Sequence, residues 1–266
     1  MAGLFSTYLK AGCLVLAVIV GVLIVITAND IADSHKQLAA ILSLEERSSA
    51  AIDRVAETLS LGLYEGGQAD RLRVSAKSQR IHIQWQRTSA LSLLLAILLS
   101  ITLVLSGSTN LERQLLKVAA ICLGVGIFAP MLSIVAQRDV PLLGQVVLAY
   151  ESKGVAATVA ALYQRGHLII ALILGLFSIV IPITKLLLTA VAMGPSRLAK
   201  PARHAIHLIG KWSMTDVFVV AVLLAFLAGG ASGNTDAWVG HGLWFFAAYA
   251  LLSFIAAQRI ERQWGR

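Results

Sequence analysis

The chain has 266 residues, of which 58% are hydrophobic and only 14% are charged, and its mean hydropathy is +0.79. Soluble domains average about 45–50% apolar and about 25% charged residues, so one large soluble core does not account for this composition. The net charge is +8, but the basic residues are distributed as membrane topology requires. No nucleic-acid partner is therefore predicted, and membrane lipids are the expected surroundings.

Long apolar runs predict a polytopic, all-α membrane protein. A helix of about 20 apolar residues crosses the hydrocarbon core of a bilayer. On this criterion the sequence predicts six transmembrane helices, at residues 11–28, 89–106, 117–136, 168–194, 214–232 and 242–257. A cleavable signal peptide is the alternative for the first run. Its length exceeds the usual apolar region of about 7–15 residues, which favours an uncleaved anchor.

Lysine and arginine are concentrated on one side of this predicted membrane. The two terminal segments and the loops at 107–117 and 195–211 together carry ten basic and two acidic residues. The short loops on the opposite side, 137–167 and 233–241, carry three basic residues between them. The positive-inside rule therefore predicts that both termini are cytoplasmic.

The chain divides near Gly107 into two predicted parts, residues 1–107 and 108–266. In the first part, residues 29–88 are polar and separate two spans, and their apolar positions recur at helical spacing until Gly66 and Gly67 interrupt the pattern. This predicts an extracytoplasmic helical hairpin that stands on the membrane. The hairpin is either a spacer or interaction module or the binding element of a membrane sensor.

The second part is predicted to be a four-helix membrane domain with two distinctive loops. The outer loop, 137–167, contains amphipathic stretches that predict short helices at the outer surface. The inner loop, 195–211, has aliphatic residues between basic ones, which favours contact with anionic lipid headgroups. The basic residues are also accounted for by the positive-inside rule, and the two interpretations are compatible.

The fourth predicted span contains unusual polar residues. Pro182 lies in the middle of the span, where it removes a backbone hydrogen bond and predicts a helix kink. Ser178, Pro182, Lys185 and Thr189 are spaced four, three and four residues apart, so they share one helix face. Such a face is expected to point into the helix bundle or a wet cavity, because exposing it to lipid is costly.

Lys185 lies nine residues before Gly194, about 13 Å of helix from the inner end of the span. Its side chain can reach toward the interface, or it can pair with Asp216 at a similar depth on the fifth span. Asp216 has a second interpretation, since Ser213-Met-Thr-Asp216 fits the capping box that closes a helix N-terminus. The two roles of Asp216 are compatible with each other.

Motifs for enzymes and metal sites are missing from the sequence. Cys13 and Cys122 both fall inside apolar runs, where free cysteines behave as small hydrophobes. The sequence contains no CxxC, HExxH, P-loop or GxSxG pattern. We therefore expect no catalytic residue, no metal site and no cofactor.

Four segments carry a resemblance to a known family. GKWSMTDVFVVAVLL, residues 210–224, resembles the signature of the paraquat-inducible protein A family. ICLGVGIFAPMLSI (121–134, with Pro130 near its end) and GHLIIALILGLFSIVIPITKLLL (166–188) resemble two earlier helices of that family's domain. GLWFFAAYALLSFIAAQRI, residues 242–260, resembles its last helix.

The resemblance implies an inner-membrane protein of Gram-negative bacteria that acts in phospholipid transport or envelope lipid homeostasis, with a periplasmic MCE-domain protein as partner. It also implies that Lys185 and Asp216 form an intramembrane polar pair coupled to protons. Supporting polar positions are Ser178, Thr184, Ser213 and Thr215, and the helix kinks are Pro130 and Pro182. Better-known members have two such domains and CxxC zinc segments, whereas this chain has one domain and no CxxC. A membrane sensor or scaffold is the alternative function.

Overall fold

A computed structural model describes residues 2–41, 66–106, 111–140, 144–194 and 235–264. The predicted fifth span (214–232), the inner loop (195–211) and the central part of the predicted hairpin (42–65) lie outside the described residues. The described part of the chain is mostly helical, as the sequence predicts.

The described elements follow one another along the chain as α1 (Ala2–Ile41), α2 (Gly66–Val104), α3 (Leu111–Phe128), β1 (Leu132–Val140), β2 (Gly144–Lys153), α4 (Val155–Gln164), α5 (Leu168–Gly175), a π-helical segment (Leu176–Val180), α6 (Ile181–Ala192), β3 (Thr235–Val239) and α7 (His241–Trp264). Four helical stretches are long and apolar enough to cross a membrane: Tyr8–Ile41, Ser75–Val104, Leu168–Ala192 and His241–Ile260. The protein is therefore a multi-pass membrane protein.

The first two helices are much longer than a membrane crossing requires. α1 has 40 residues and α2 has 39, so each is about 60 Å long, whereas the hydrocarbon core is about 30 Å thick. The two helices pack against each other through buried side chains that include Ile24 and Leu95. α2 begins at Gly66, the first glycine of the pair that interrupts the sequence pattern. Both helices thus continue from their apolar parts into the polar region without a break.

A small β-sheet corrects the all-α expectation. β1 lies between β2 and β3 and pairs antiparallel with both. β2 and residues 137–140 of β1 lie in the loop 137–167, for which the sequence predicts short surface helices. Among the described residues between the two strands and α5, α4 alone is helical. The reason is tertiary, because strand stability depends on the neighbouring strands, and β3 comes from a segment about 100 residues further along the chain.

The predicted third span, 117–136, also needs correction. Its helix, α3, begins earlier, at Leu111, and ends at Phe128, and β1 starts at Leu132. Pro130 therefore lies between a helix and a strand and does not kink a continuous span. Proline has no backbone N–H to continue the helical hydrogen-bond pattern, so the chain leaves the helix here and enters the sheet.

α3 is the central helix of the described bundle. It contacts α1, α2, α4, α6 and α7, and its buried face includes Val118, Cys122 and Leu123. Its closest packing is with α7, where a Cβ atom on Gly126 would lie 2.9 Å from the backbone nitrogen of Phe246. Hydrogen bonds from Gly240 N to Met131 O (2.9 Å) and from Gly242 N to Pro130 O (3.0 Å) join the start of α7 to the end of α3.

Candidate functional site

One face of the α5–α6 span carries the predicted polar side chains. Pro182, Lys185 and Thr189 are buried, and Ser178 is partly buried at the start of the same face. Thr184 is exposed and lies on a different face from Lys185. The structure therefore brings together the residues at helical spacing but does not bring Thr184 to them.

Lys185 contacts Ser253 on α7. Only 4% of Lys185 is exposed, and its Nζ donates a hydrogen bond of 3.1 Å to Ser253 Oγ. Ser253 Oγ in turn donates to Ala250 O at 3.0 Å. Thr189 Oγ1 donates to Lys185 O at 2.7 Å. A hydroxyl that accepts from an ammonium and donates to a carbonyl helps to compensate the lost hydration of a buried charge.

Pro182 is associated with a local change in helix geometry. The π-helical segment Leu176–Val180 immediately precedes α6, which has Pro182 near its start. Tyr249 Oη donates a hydrogen bond of 3.3 Å to Pro182 O. Short π-helical segments occur frequently at functional sites. Here the segment directly precedes the helix that carries Lys185 and Thr189.

The sequence analysis missed Tyr249 and Ser253. They lie four residues apart on α7, so they share one helix face, and both are buried. A signal was present, since a tyrosine and a serine at i and i+4 interrupt the otherwise apolar stretch between Phe245 and Ala257. We call Pro182, Lys185, Thr189, Tyr249 and Ser253 the polar cluster.

Asp216, Ser213 and Thr215 lie outside the described residues. The Lys185–Asp216 pair and the capping box therefore stay predictions. No group of three or more metal-binding side chains occurs within the ranges that the structure describes. The polar cluster places an ionisable side chain, Lys185, in the interior of a membrane span. Ionisable side chains inside spans mark candidate ion or proton pathways.

Comparison with known proteins identifies this half of the chain. The paraquat-inducible protein A family model matches residues 140–265. Residues 140–265 belong to the paraquat-inducible protein A family. The matched region, which we call the family region, contains every residue of the polar cluster. The helices α1, α2 and α3 precede it in the chain. No curated protein and no solved structure matches the chain significantly.

We expect Ser253→Ala to lower stability by about 1.5–3 kcal/mol, since hydrogen bonds to charged groups contribute about that much. The measurement is thermal unfolding of the purified protein in detergent. Ser100→Ala is the matched control, because Ser100 is exposed on α2 and only donates to Ala96 O within its own helix. Equal unfolding temperatures for the two variants would contradict a stabilising role for the Lys185–Ser253 contact.

Proposed function

We propose that this protein is the inner-membrane component of a system that moves phospholipids between the two membranes of a Gram-negative envelope. Membership of residues 140–265 in the paraquat-inducible protein A family supports this function. One observation carries the mechanistic part of the proposal: the ammonium of Lys185, 4% exposed, is held 3.1 Å from Ser253 Oγ between two helices of the bundle.

In this mechanism, Lys185 changes its charge during each transport cycle. A charged ammonium inside a membrane costs at least a few kcal/mol unless it is compensated. Asp216 on the predicted fifth span supplies the opposite charge, and proton transfer between the pair and water changes how strongly the spans attract each other. The cluster hydroxyls accept and donate hydrogen bonds in both states, so the helices can shift without leaving a buried charge unsolvated.

The orientation in this proposal comes from the charge pattern of the sequence, and the partner comes from the family resemblance. Both termini are cytoplasmic, because the basic loops lie on that side. A periplasmic MCE-domain protein is the partner that carries lipid onward, and the sheet side of the molecule faces it. The protein acts as a transporter component without catalytic residues or a cofactor.

The test is genetic complementation with Lys185→Ala and Asp216→Asn, scored by sensitivity of the envelope to detergent and by protein abundance in the membrane. We expect normal abundance and at least tenfold greater detergent sensitivity, because the proposed charge change is then impossible. Thr184→Ala is the matched control, since Thr184 is the exposed neighbour of Lys185. Full function in both variants would overturn the mechanism, and loss of abundance would assign the pair a structural role.

A membrane sensor is the second candidate, supported by the long polar extensions of α1 and α2. The adjacent reading frame distinguishes the two functions without biochemistry. An MCE-domain protein encoded there favours lipid transport, whereas a receptor or two-component protein favours sensing.

A further inference from the structure

A cavity of about 520 Å³ lies between the polar extensions of α1 and α2, the β-sheet and the start of α7. We call it the outer cavity. Its volume falls within the range of about 300–1,000 Å³ that is typical of small-molecule sites. Its walls come from both parts of the chain, since Ile31 and Ile81 lie before the family region and Tyr150 and His241 lie within it. The two parts therefore form this cavity together.

The outer cavity is lined by side chains that carry no permanent charge. Among the described residues that line it there is no lysine, arginine, aspartate or glutamate. The lining combines aliphatic side chains, serine hydroxyls and the imidazoles of His35, His82 and His241. The hydroxyls of Ser133 and Ser152 are hydrogen-bonded to each other at 2.7 Å. A charged occupant would lose its hydration here with no permanent opposite charge in the lining to compensate for it. The lining therefore favours an apolar molecule with neutral hydrogen-bonding groups.

Aromatic contacts hold two sides of the outer cavity together. The Tyr150 ring on β2 stacks against His35 on α1, with centroids 5.8 Å apart and an interplanar angle of 17°. Trp85 on α2 lies against His241 at the start of α7, with centroids also 5.8 Å apart. These contacts join α1 to β2 and α2 to α7 beside the outer cavity.

One wall of the outer cavity contains an unsatisfied donor. The hydroxyl oxygen of Tyr150 is buried and has no hydrogen-bond partner within the described part of the chain. Leaving a buried hydroxyl without a partner is unfavourable, and each such group in a native structure calls for an explanation. A neutral acceptor on a bound molecule, reached by a small movement of the ring, would satisfy it.

The position of the outer cavity indicates where its occupant comes from. Ala28, in its lining, is the last residue of the apolar run of α1, and Trp85 precedes the apolar part of α2. Tryptophan at the end of a span marks the level of the lipid headgroups. Ester carbonyls of glycerolipids lie at this boundary between headgroups and acyl chains, and they are uncharged acceptors attached to an apolar body.

We propose that the outer cavity binds the acyl-ester region of a glycerolipid from the adjacent leaflet, with an ester carbonyl accepting a hydrogen bond from Tyr150. This inference goes beyond the proposed function, because it concerns lipid binding alone and would hold for a protein that moves no lipid. It also gives the α1–α2 pair, which lies outside the family region, a defined role as one wall of a binding site.

The test uses the full-length protein in nanodiscs that contain phosphatidylethanolamine with a photoreactive diazirine close to the ester. Mapping of the crosslinked peptides should place the adducts at the residues that line the outer cavity. Ala32→Phe fills the cavity from α1 and should reduce the labelling at these residues by about tenfold. Ala40→Phe is the matched control, since Ala40 is exposed on the same helix and does not line the cavity.

A second comparison keeps the proposal testable if Ala32→Phe fails to fold. Diester and diether phosphatidylethanolamines compete with the photoreactive lipid, and the diester should compete about fivefold better, the value expected for one hydrogen bond. Tyr150→Phe should remove this preference, whereas Tyr163→Phe, at an exposed tyrosine, should retain it. Three results would each overturn the proposal. They are equal competition by the diester and diether lipids, equal labelling of Ala32→Phe and wild type, and competition by glycerophosphate alone. Loss of transport in Lys185→Ala with unchanged labelling would leave it intact.

Discussion

Gly126→Leu should almost eliminate folded protein from the membrane. A Cβ atom on Gly126 would lie 2.9 Å from the backbone nitrogen of Phe246 and 3.0 Å from its Cα. Backbone atoms cannot rotate away as a flexible side chain can, so α3 and α7 would have to separate along their whole contact. We expect a cost of about 3 kcal/mol or more, at the upper end of overpacking effects. The measurements are abundance in isolated membranes and the thermal unfolding midpoint of any protein recovered.

Gly124→Leu is the matched control for this prediction. It lies two residues away on the same helix, and a Cβ atom there would meet nothing within 4 Å. The substitution changes the same residue type to the same larger residue, so helix propensity and hydrophobicity change equally. An equal loss of abundance in both variants would show that the close approach of α3 to α7 at Phe246 is not the cause.

Gly240→Val is the second substitution from which we expect a large effect. A Cβ atom on Gly240 would collide with the backbone carbonyl of Pro130, and Gly240 N also donates to Met131 O at 2.9 Å. The collision would separate β3 and the start of α7 from the end of α3. We expect a loss of about 3 kcal/mol or more, because the close contact and the hydrogen bond are lost together.

The effect of Gly240→Val can be followed by thermal unfolding and by limited proteolysis of the β-sheet. Gly12→Val provides the reference, since a Cβ atom on Gly12 in α1 would meet nothing within 4 Å. Wild-type unfolding and wild-type protease resistance in Gly240→Val would mean that the junction between α3 and α7 tolerates a side chain, contrary to the geometry.

The polar cluster shows which part of a site can be predicted from sequence. Pro182, Lys185 and Thr189 share a face because the helical repeat alone determines their relative directions. Helical spacing does not show which helix packs against that face. Ser253 is 68 residues away from Lys185 in the chain, and only the packing of α6 against α7 brings the hydroxyl to the ammonium. Thr184 illustrates the same limit. The family resemblance implies that it supports the polar pair, but it does not predict that its side chain is exposed on a different helix face from Lys185.

The β-sheet illustrates the limit for secondary structure. The first part of β1, residues 132–136, has enough apolar residues to extend a helix, and its assignment to the predicted span 117–136 follows from counting them. Whether such a segment forms a helix or a strand depends on which neighbouring segments form hydrogen bonds with its backbone N–H and C=O groups. β1 obtains those partners on one side from β2, nearby in the chain, and on the other from β3, which lies far along it. Local sequence contains no information about the second pairing.

The membrane class and the helical spacing of the polar face were determined by the sequence itself, because both depend on composition and on local helical geometry. The family resemblance also rests on the sequence itself, through the motif at residues 210–224. Tertiary structure alone decided that the segment after Pro130 is a strand, that Ser253 and Tyr249 complete the polar cluster, and that both parts of the chain line the outer cavity. These features depend on contacts between residues distant in sequence, whose free energy is realised only when the helices and the sheet pack together.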